Sequence, residues 1–440
     1  MANGTEPLLK MKSNKTPPVH KKLLFPPLFG LFVLGRVAEA QQETAQPQLA
    51  PVEPVSEYNM TNAFQVFAPS PAPPPSMPYE PFKWDQFVLR PHADYQYIYA
   101  RGLLAAPGDH ENTTIQQITP GVLLDLGPHW ALDYTATIAL YSNHHFGTEF
   151  DHSITLTGQT VYTDWIFGFE QSVLLSSSPL IETGGQTSQQ NYTTTVTGHH
   201  EDSQYISEDL SLSQSIQDFA GGFENQRQWT TIDYLNYQPQ PHFSLGLGPG
   251  LGYDHAEFGP DSVFEQAQAR LDWRASKKLS FQLSGGVQET EFLGGQGASD
   301  IFSPIYSGTV QYEPFSQTQI SVYGTRYVSP SAFVGEYTED TSVGCTVSQR
   351  LLGQIYCSVS GSYGDQKYVA SIAGFSVNRT DKFYSLTARI SHSFLGRGTV
   401  AIFYEYGSDD SSVLVKQLGI SEHPYSFTSH QYGVEVSYSF

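Results

Sequence analysis

The segment Tyr432-Gly433-Val434-Glu435-Val436-Ser437-Tyr438-Ser439-Phe440 alternates without a break. Its even positions are apolar or aromatic, and its odd positions (Gly433, Glu435, Ser437, Ser439) are small or polar. Successive side chains of a strand point to opposite faces, so this is a strand with one oily and one wet side. The same alternation runs through Leu132–Leu140, Tyr384–Ile390 and Val400–Tyr406.

Read this way, the chain from Trp84 onward is a succession of amphipathic strands. The pattern predicts them at 86–103, 113–126, 130–142, 151–162, 165–177, 190–200, 204–217, 226–237 and 242–256. It continues with 262–275, 279–292, 302–313, 318–330, 338–350, 354–367, 380–395, 399–409 and 427–440, eighteen in all. Tyr192–Val196 and Leu210–Leu212 are poorly patterned, which leaves sixteen strands and one very long loop as the alternative. Compact connections such as Gly127-Pro128-His129, Thr163-Asp164 and Ser276-Lys277-Lys278 alternate with longer Gly/Ser/Asn/Asp-rich stretches. Runs of 11–18 residues are too long for the facing sheets of a sandwich, and there is no blade-length repeat for a propeller. The pattern therefore predicts an all-β fold, a closed antiparallel transmembrane β-barrel of 84–440.

Residues 1–40 read as an export signal: a basic lead (Lys10, Lys12, Lys15, Lys21, Lys22), an apolar stretch Leu23–Gly35, and Ala38-Glu39-Ala40 as a cleavage pattern. Residues 41–83 are rich in Gln and Pro, densest at Pro69–Pro75, and read as an extended periplasmic linker. Without residues 1–40, which hold six basic and two acidic side chains, 16 Lys+Arg stand against 41 Asp+Glu, a net charge of −25. Phosphate contacts need a basic face, so nucleic acid is excluded as a partner. Only 39% of residues are hydrophobic, which suits a barrel because each crossing strand is half polar. With 27 Tyr and 27 Phe there is material for two aromatic girdles at the membrane interfaces.

Tyr432, Gly433, Val434, Val436, Tyr438 and Phe440 together resemble the C-terminal insertion signal of bacterial outer-membrane β-barrels. The texture from Trp165 onward, with the runs Gln228–Tyr237, Arg270–Ala275 and Gln349–Gly353, resembles the porin-type barrels of Verrucomicrobia and related bacteria. The resemblance implies an outer-membrane location, outer-membrane lipid as surroundings, and the barrel-assembly machinery as a partner during insertion. It defines no transported solute.

Charged residues on wet faces are candidate pore-lining groups, because charge facing lipid is costly. They are Asp94, Asp133, Arg270, Asp272, Arg274, Arg389, Glu405 and Glu435, with Gln96 beside them. Such groups can bias which ions pass, or pair across strands and stiffen the wall. Gly246-Leu247-Gly248-Pro249-Gly250-Leu251-Gly252 puts four glycines on one face, and without a following helix it reads as a thinned inner wall, not a nucleotide loop. The pairs Asp109-His110, Asp151-His152 and Asp254-His255, with His144-His145 and His199-His200, raise acid–base chemistry or a metal at the rim. Solvated loop residues are the default, so no catalytic residue, cofactor or metal is assigned. Cys345 and Cys357 lie on apolar faces of adjacent strands, and either form a cross-strand disulfide or stand as two lipid-facing thiols.

The expectation is a porin-like channel for passive diffusion of small hydrophilic solutes, with a weak cation preference. The alternatives are a barrel serving an envelope assembly such as exopolysaccharide export, its arm 41–83 reaching a periplasmic partner, or a surface adhesion protein. Homo-oligomerisation stays open.

Overall fold

The computed structural model describes residues 82–440 apart from 85, 181, 295–298, 375–376, 414, 418–419 and 440, and of 415–417 and 420–422 the backbone alone. The expected export signal, nearly all of the expected linker and Phe440 therefore lie outside the described residues. The linker's far boundary falls within a three-residue strand, Phe82–Trp84, that folds back on Phe87–Leu89.

Eighteen long strands build the wall: β1 (Phe87–Ala106), β2 (Asp109–Leu126), β3 (Trp130–Tyr141), β4 (Glu149–Tyr162), β5 (Trp165–Ser176), β6 (Gln189–Glu201), β7 (Ile206–Phe219), β8 (Gln226–Gln240) and β9 (Phe243–Ala256). The second half comprises β10 (Ser262–Ser276), β11 (Leu279–Phe292), β12 (Ile301–Phe315), β13 (Thr318–Pro330), β14 (Glu336–Leu351), β15 (Ile355–Ala370), β16 (Thr380–Phe394), β17 (Gly398–Ser411) and β18 (Phe427–Ser439). Each pairs antiparallel with the next, and β18 pairs with β1 through ten residue pairs, Tyr97 opposite Val434 among them. The sheet thus closes on itself as an antiparallel barrel, the condition for crossing hydrocarbon. The poorly patterned β6 and β7 are wall strands paired over thirteen residues, which settles the count at eighteen instead of sixteen.

Alternation sorts the side chains. Tyr95, Tyr97 and Tyr99 point outward and are exposed, while Asp94, Gln96, Ile98 and Ala100 between them point inward. On β18, Tyr432, Val434 and Val436 are outward and exposed, and Gly433 and Glu435 are inward and buried. Leu210, Leu212, Leu245, Leu247, Ile390 and Ile402 continue the exposed outer band. An apolar band of this extent is a lipid-facing surface.

One rim carries tight turns of two to four residues, from 127–129 round to 395–397, and the other carries most of the longer loops. At the turn side, Leu352 (φ 47°) and Gly353 (φ 79°) both adopt the left-handed region, which reverses the chain between β14 and β15.

The two cysteines are separated by that hairpin's register. Cys345 stands opposite Gly361 and Cys357 opposite Gln349, an offset of four residues or roughly 13 Å along the strands. Both are free thiols on the outward face, so the disulfide is not formed. A turn centred at 352–354, slightly beyond Leu351-Leu352, moves the pairing out of bonding range.

Candidate functional site: the inner wall and the loop-side mouth

Two charged clusters line the inner wall in its turn-side half. The first spans the closing seam. Arg389 on β16 holds Glu435 on β18 through two parallel hydrogen bonds, 2.5 Å from Nη1 and 2.6 Å from Nη2. Gln96 Nε2 on β1 donates to the same carboxylate at 3.5 Å. Asp94 and Glu405 lie in the field of this pair, which leaves three carboxylates around one guanidinium. Gly433 sits inward beneath the Phe403 ring, which occupies the space a side chain there would need.

The second cluster lies nearly opposite, across β6 to β10. Arg270 bonds Asp209 and, at 3.0 Å, Asn236 Oδ1, with its guanidinium 4.4 Å from the Tyr234 ring centre. Asn236 Nδ2 donates to Asp209 at 2.8 Å, and His199 Nδ1 meets Asp209 at 2.6 Å. Asp272 and Arg274 share the inward face of β10 with Arg270, and Asp133 is inward on β3. The glycines of β9 are the bed for this cluster. Gly246 lies under Arg270, Gly248 under Tyr234, Gly250 under Gln266, and Gly252 under Phe264. Neighbouring side chains fill the room they leave. A methyl group at 246 would stand 2.8 Å from Arg270 Cγ. Gly246→Ala is therefore expected to displace Arg270 and destabilise the barrel by about 1–3 kcal/mol, read as a lower urea midpoint for unfolding.

The loop-side mouth is crossed by inward-folded chain. β12 and β13 pair only from Tyr306 opposite Arg326 downward, whereas β13 and β14 stay paired up to Pro330 opposite Tyr337. The β13–β14 tip leaves the wall there and folds over the inner face of β10 to β12. Val328 and Tyr337 pack on Phe292 and Ile301, and Tyr337 Oη lies 2.8 Å from Ser262 Oγ. Arg326 stands at the fork and clamps both branches. It donates to Pro304 O (3.2 Å) and Ser303 Oγ (3.3 Å) on β12, and to Thr341 Oγ1 (2.7 Å) on β14.

The 177–188 loop between β5 and β6 meets this tip from the far side. Glu182 Oε1 accepts hydrogen bonds from Ser331 Oγ (2.6 Å) and Ala332 N (3.1 Å). Gln186 is tied to Gly147 N (2.7 Å) and Glu149 Oε1 (2.8 Å), and Gly184 packs on Leu104, Pro107 and Tyr425. β5 and β13 are eight strands apart on a ring of eighteen, so these contacts span the mouth.

Arg379, in the loop between β15 and β16, joins the pieces. It lies 4.4 Å from the Tyr368 ring centre, 4.2 Å from Tyr425 and 5.3 Å from Phe333. Its Nε and Nη2 bond Asp381 at 2.7 and 2.6 Å, and Nη2 donates to the Glu182 carbonyl at 3.1 Å. Burial opposes its charge, yet Tyr368, Asp381 and Glu182 hold its pKa above the ordinary guanidinium value. Burial likewise pushes the Glu182 carboxyl up, partly offset by Ser331 and Arg379.

The structure places the sequence-derived wall residues on inward faces and brings four of them (Asp94, Arg389, Glu405, Glu435) together. Arg270, Asp272 and Arg274 stay on one strand, and Asp133 lies apart. Sequence reasoning missed Asp209, Asn236 and His199 as partners of Arg270, and the whole mouth assembly around Arg379 and Glu182. Arg379 and Asp381 are two residues apart, but the contacts of Arg270 with Asp209 and of Glu182 with Ser331 and Arg379 join residues distant along the chain, with no local pattern to mark them.

The sequence matches no family model and no curated protein. Solved structures of similar fold include OccAB3 of Acinetobacter baumannii (9% identity, TM-score 0.43, 80% of this chain and 99% of that one). The outer membrane protein opdK of Pseudomonas aeruginosa gives 11% identity, TM-score 0.45 and coverage of 80% and 99%. The siderophore receptor PirA of the same species gives 8%, 0.39, and 83% and 81%. These are distant likenesses, and the fold stands on the strand register described above.

Proposed function

We propose that this barrel sits in the bacterial outer membrane and passes small hydrophilic solutes by diffusion, with a preference for cations. The observation that carries the reading is the two-sided wall: eighteen strands closed on themselves, apolar outward and lined inward by Asp94, Gln96, Arg389, Glu405 and Glu435. Side chains do not fill the interior of a barrel this wide. The seam cluster holds more carboxylates than guanidinium groups, which favours cations. Kinship with the porin-type barrels of Verrucomicrobia, which the strand texture resembles, belongs to the same reading.

No enzymatic role is proposed. Neighbouring residues of a strand face opposite ways, so the Asp-His pairs do not work as units. Asp151 bonds Ser177 N at 2.8 Å while His152 meets Tyr134 on the outer face at 3.1 Å. Asp254 is buried inward while His255 pairs with Asp261 at 2.8 Å.

The test is solute flux into liposomes carrying the folded, heat-modifiable barrel, with a reversal potential in a potassium chloride gradient. Swelling in small sugars and a cation-selective potential are expected. No flux would move the reading to an envelope assembly served by residues 41–83, and equal permeabilities would remove the cation preference.

A further inference from the structure

The loop-side rim carries a cluster that the channel reading does not use. Asp109 and Glu111, two residues apart at the start of β2, converge with His145 from the loop between β3 and β4. His145 Nδ1 is 2.7 Å from Glu111 Oε1 and 3.5 Å from Asp109 Oδ2, and one donor atom from each of the three lies within 4.8 Å of the others. The sequence had paired these residues differently, as Asp109-His110 and His144-His145. The strand and the turn select one member from each pair and add Glu111.

Asn143 prepares the arrangement. Its Nδ2 donates to Glu111 Oε2 at 2.8 Å, turning Oε1 toward the imidazole, and its Oδ1 accepts from His145 N at 3.1 Å. The turn bearing His145 is fixed by Ser142 N bonding Thr114 O at 2.9 Å and by the buried Phe146 ring stacked on Tyr141 at 5.0 Å. The ligating atoms are thus set by a supporting layer, as metal-bound histidine and carboxylate groups usually are. The donors of a tetrahedral ion stand about 3.5 Å apart, so an ion fits with small side-chain movements. Two carboxylates beside one imidazole also supply negative charge that a dication would offset. The half-exposed His145 gives access from solvent.

We propose that Asp109, Glu111 and His145 bind one first-row divalent cation, zinc by preference, with solvent completing the coordination. A mixed nitrogen and oxygen set favours zinc over calcium, which takes oxygen ligands alone. The site would tie the β1–β2 end to the neighbouring loop at the rim, on the strand face that carries Thr113 and Ile115.

The test is competition for zinc between a chromophoric chelator and the folded barrel in detergent, comparing the parent chain with His145→Ala, Glu111→Gln and the control His144→Ala. Heat-modifiability on gels certifies that each is folded. The expected result is one zinc per chain, weakened at least ~10-fold by His145→Ala and by Glu111→Gln, and unchanged by His144→Ala. Binding that is absent, that survives His145→Ala, or that calcium displaces equally well would overturn the assignment.

Discussion

Arg379→Ala is expected to unfasten the loop-side mouth while leaving the barrel wall intact. Its guanidinium touches three aromatic rings, pairs with fully buried Asp381, and bonds the Glu182 carbonyl, so four loops converge on one side chain. Removing one partner of a buried ion pair strands the other, at a cost of about 3–5 kcal/mol. The lost ring contacts add to this, at roughly 2 kcal/mol for a desolvated cation over an aromatic face. That free energy is local to the loops, because the wall is held by backbone pairing, and the one such bond Arg379 makes, Tyr368 N to its carbonyl at 3.0 Å, is kept by alanine. The variant should remain heat-modifiable, show faster proteolysis within 177–188 and 371–379, and conduct in larger, noisier steps. A variant with parental conductance and protease resistance would show that the loops are held by something else.

Arg389→Gln should have the largest effect on selectivity. The parent side chain neutralises one of three carboxylates at the seam; without it Asp94, Glu405 and Glu435 face the lumen uncompensated. The permeability ratio of potassium to chloride is expected to rise several-fold, most clearly at low ionic strength, where screening is weakest. Unfolding in urea should occur earlier, since losing a doubly bonded, mostly buried pair costs about 3–5 kcal/mol. An unchanged reversal potential with reduced stability would assign the cluster a purely structural role in closing the barrel between β16 and β1.

These two sites mark where the sequence stops being legible. The wall was readable because alternation is local: each strand announces its inward set within about ten residues, and a barrel repeats that statement eighteen times. Even the weak pair β6 and β7 obeys it, with Thr193, Thr195 and Thr197 inward and Val196 outward. Which inward residues meet is another matter. Arg270 finds Asp209 three strands away and Glu435 finds Gln96 across the closure, and neither spacing is periodic. The glycines of β9 were recognisable as a thin inner wall, but what lies in the space depends on side chains of β8 and β10. The mouth was least legible. The β13–β14 tip looks like any other strand end in sequence, and only the loss of pairing above Tyr306 and Arg326 shows it turning inward. The cysteines make the same point at small scale, since a four-residue offset in register separates two thiols that the sequence brought close.

The two-sided wall of eighteen strands implies a water-filled path through this barrel. Single-channel recording in planar bilayers, with protein refolded from Gln41 onward, tests it directly. Discrete conductance steps with cation selectivity, enlarged by Arg379→Ala, are the result expected here. Silence from a demonstrably folded barrel, in both the parent and the Arg379→Ala variant, would contradict it.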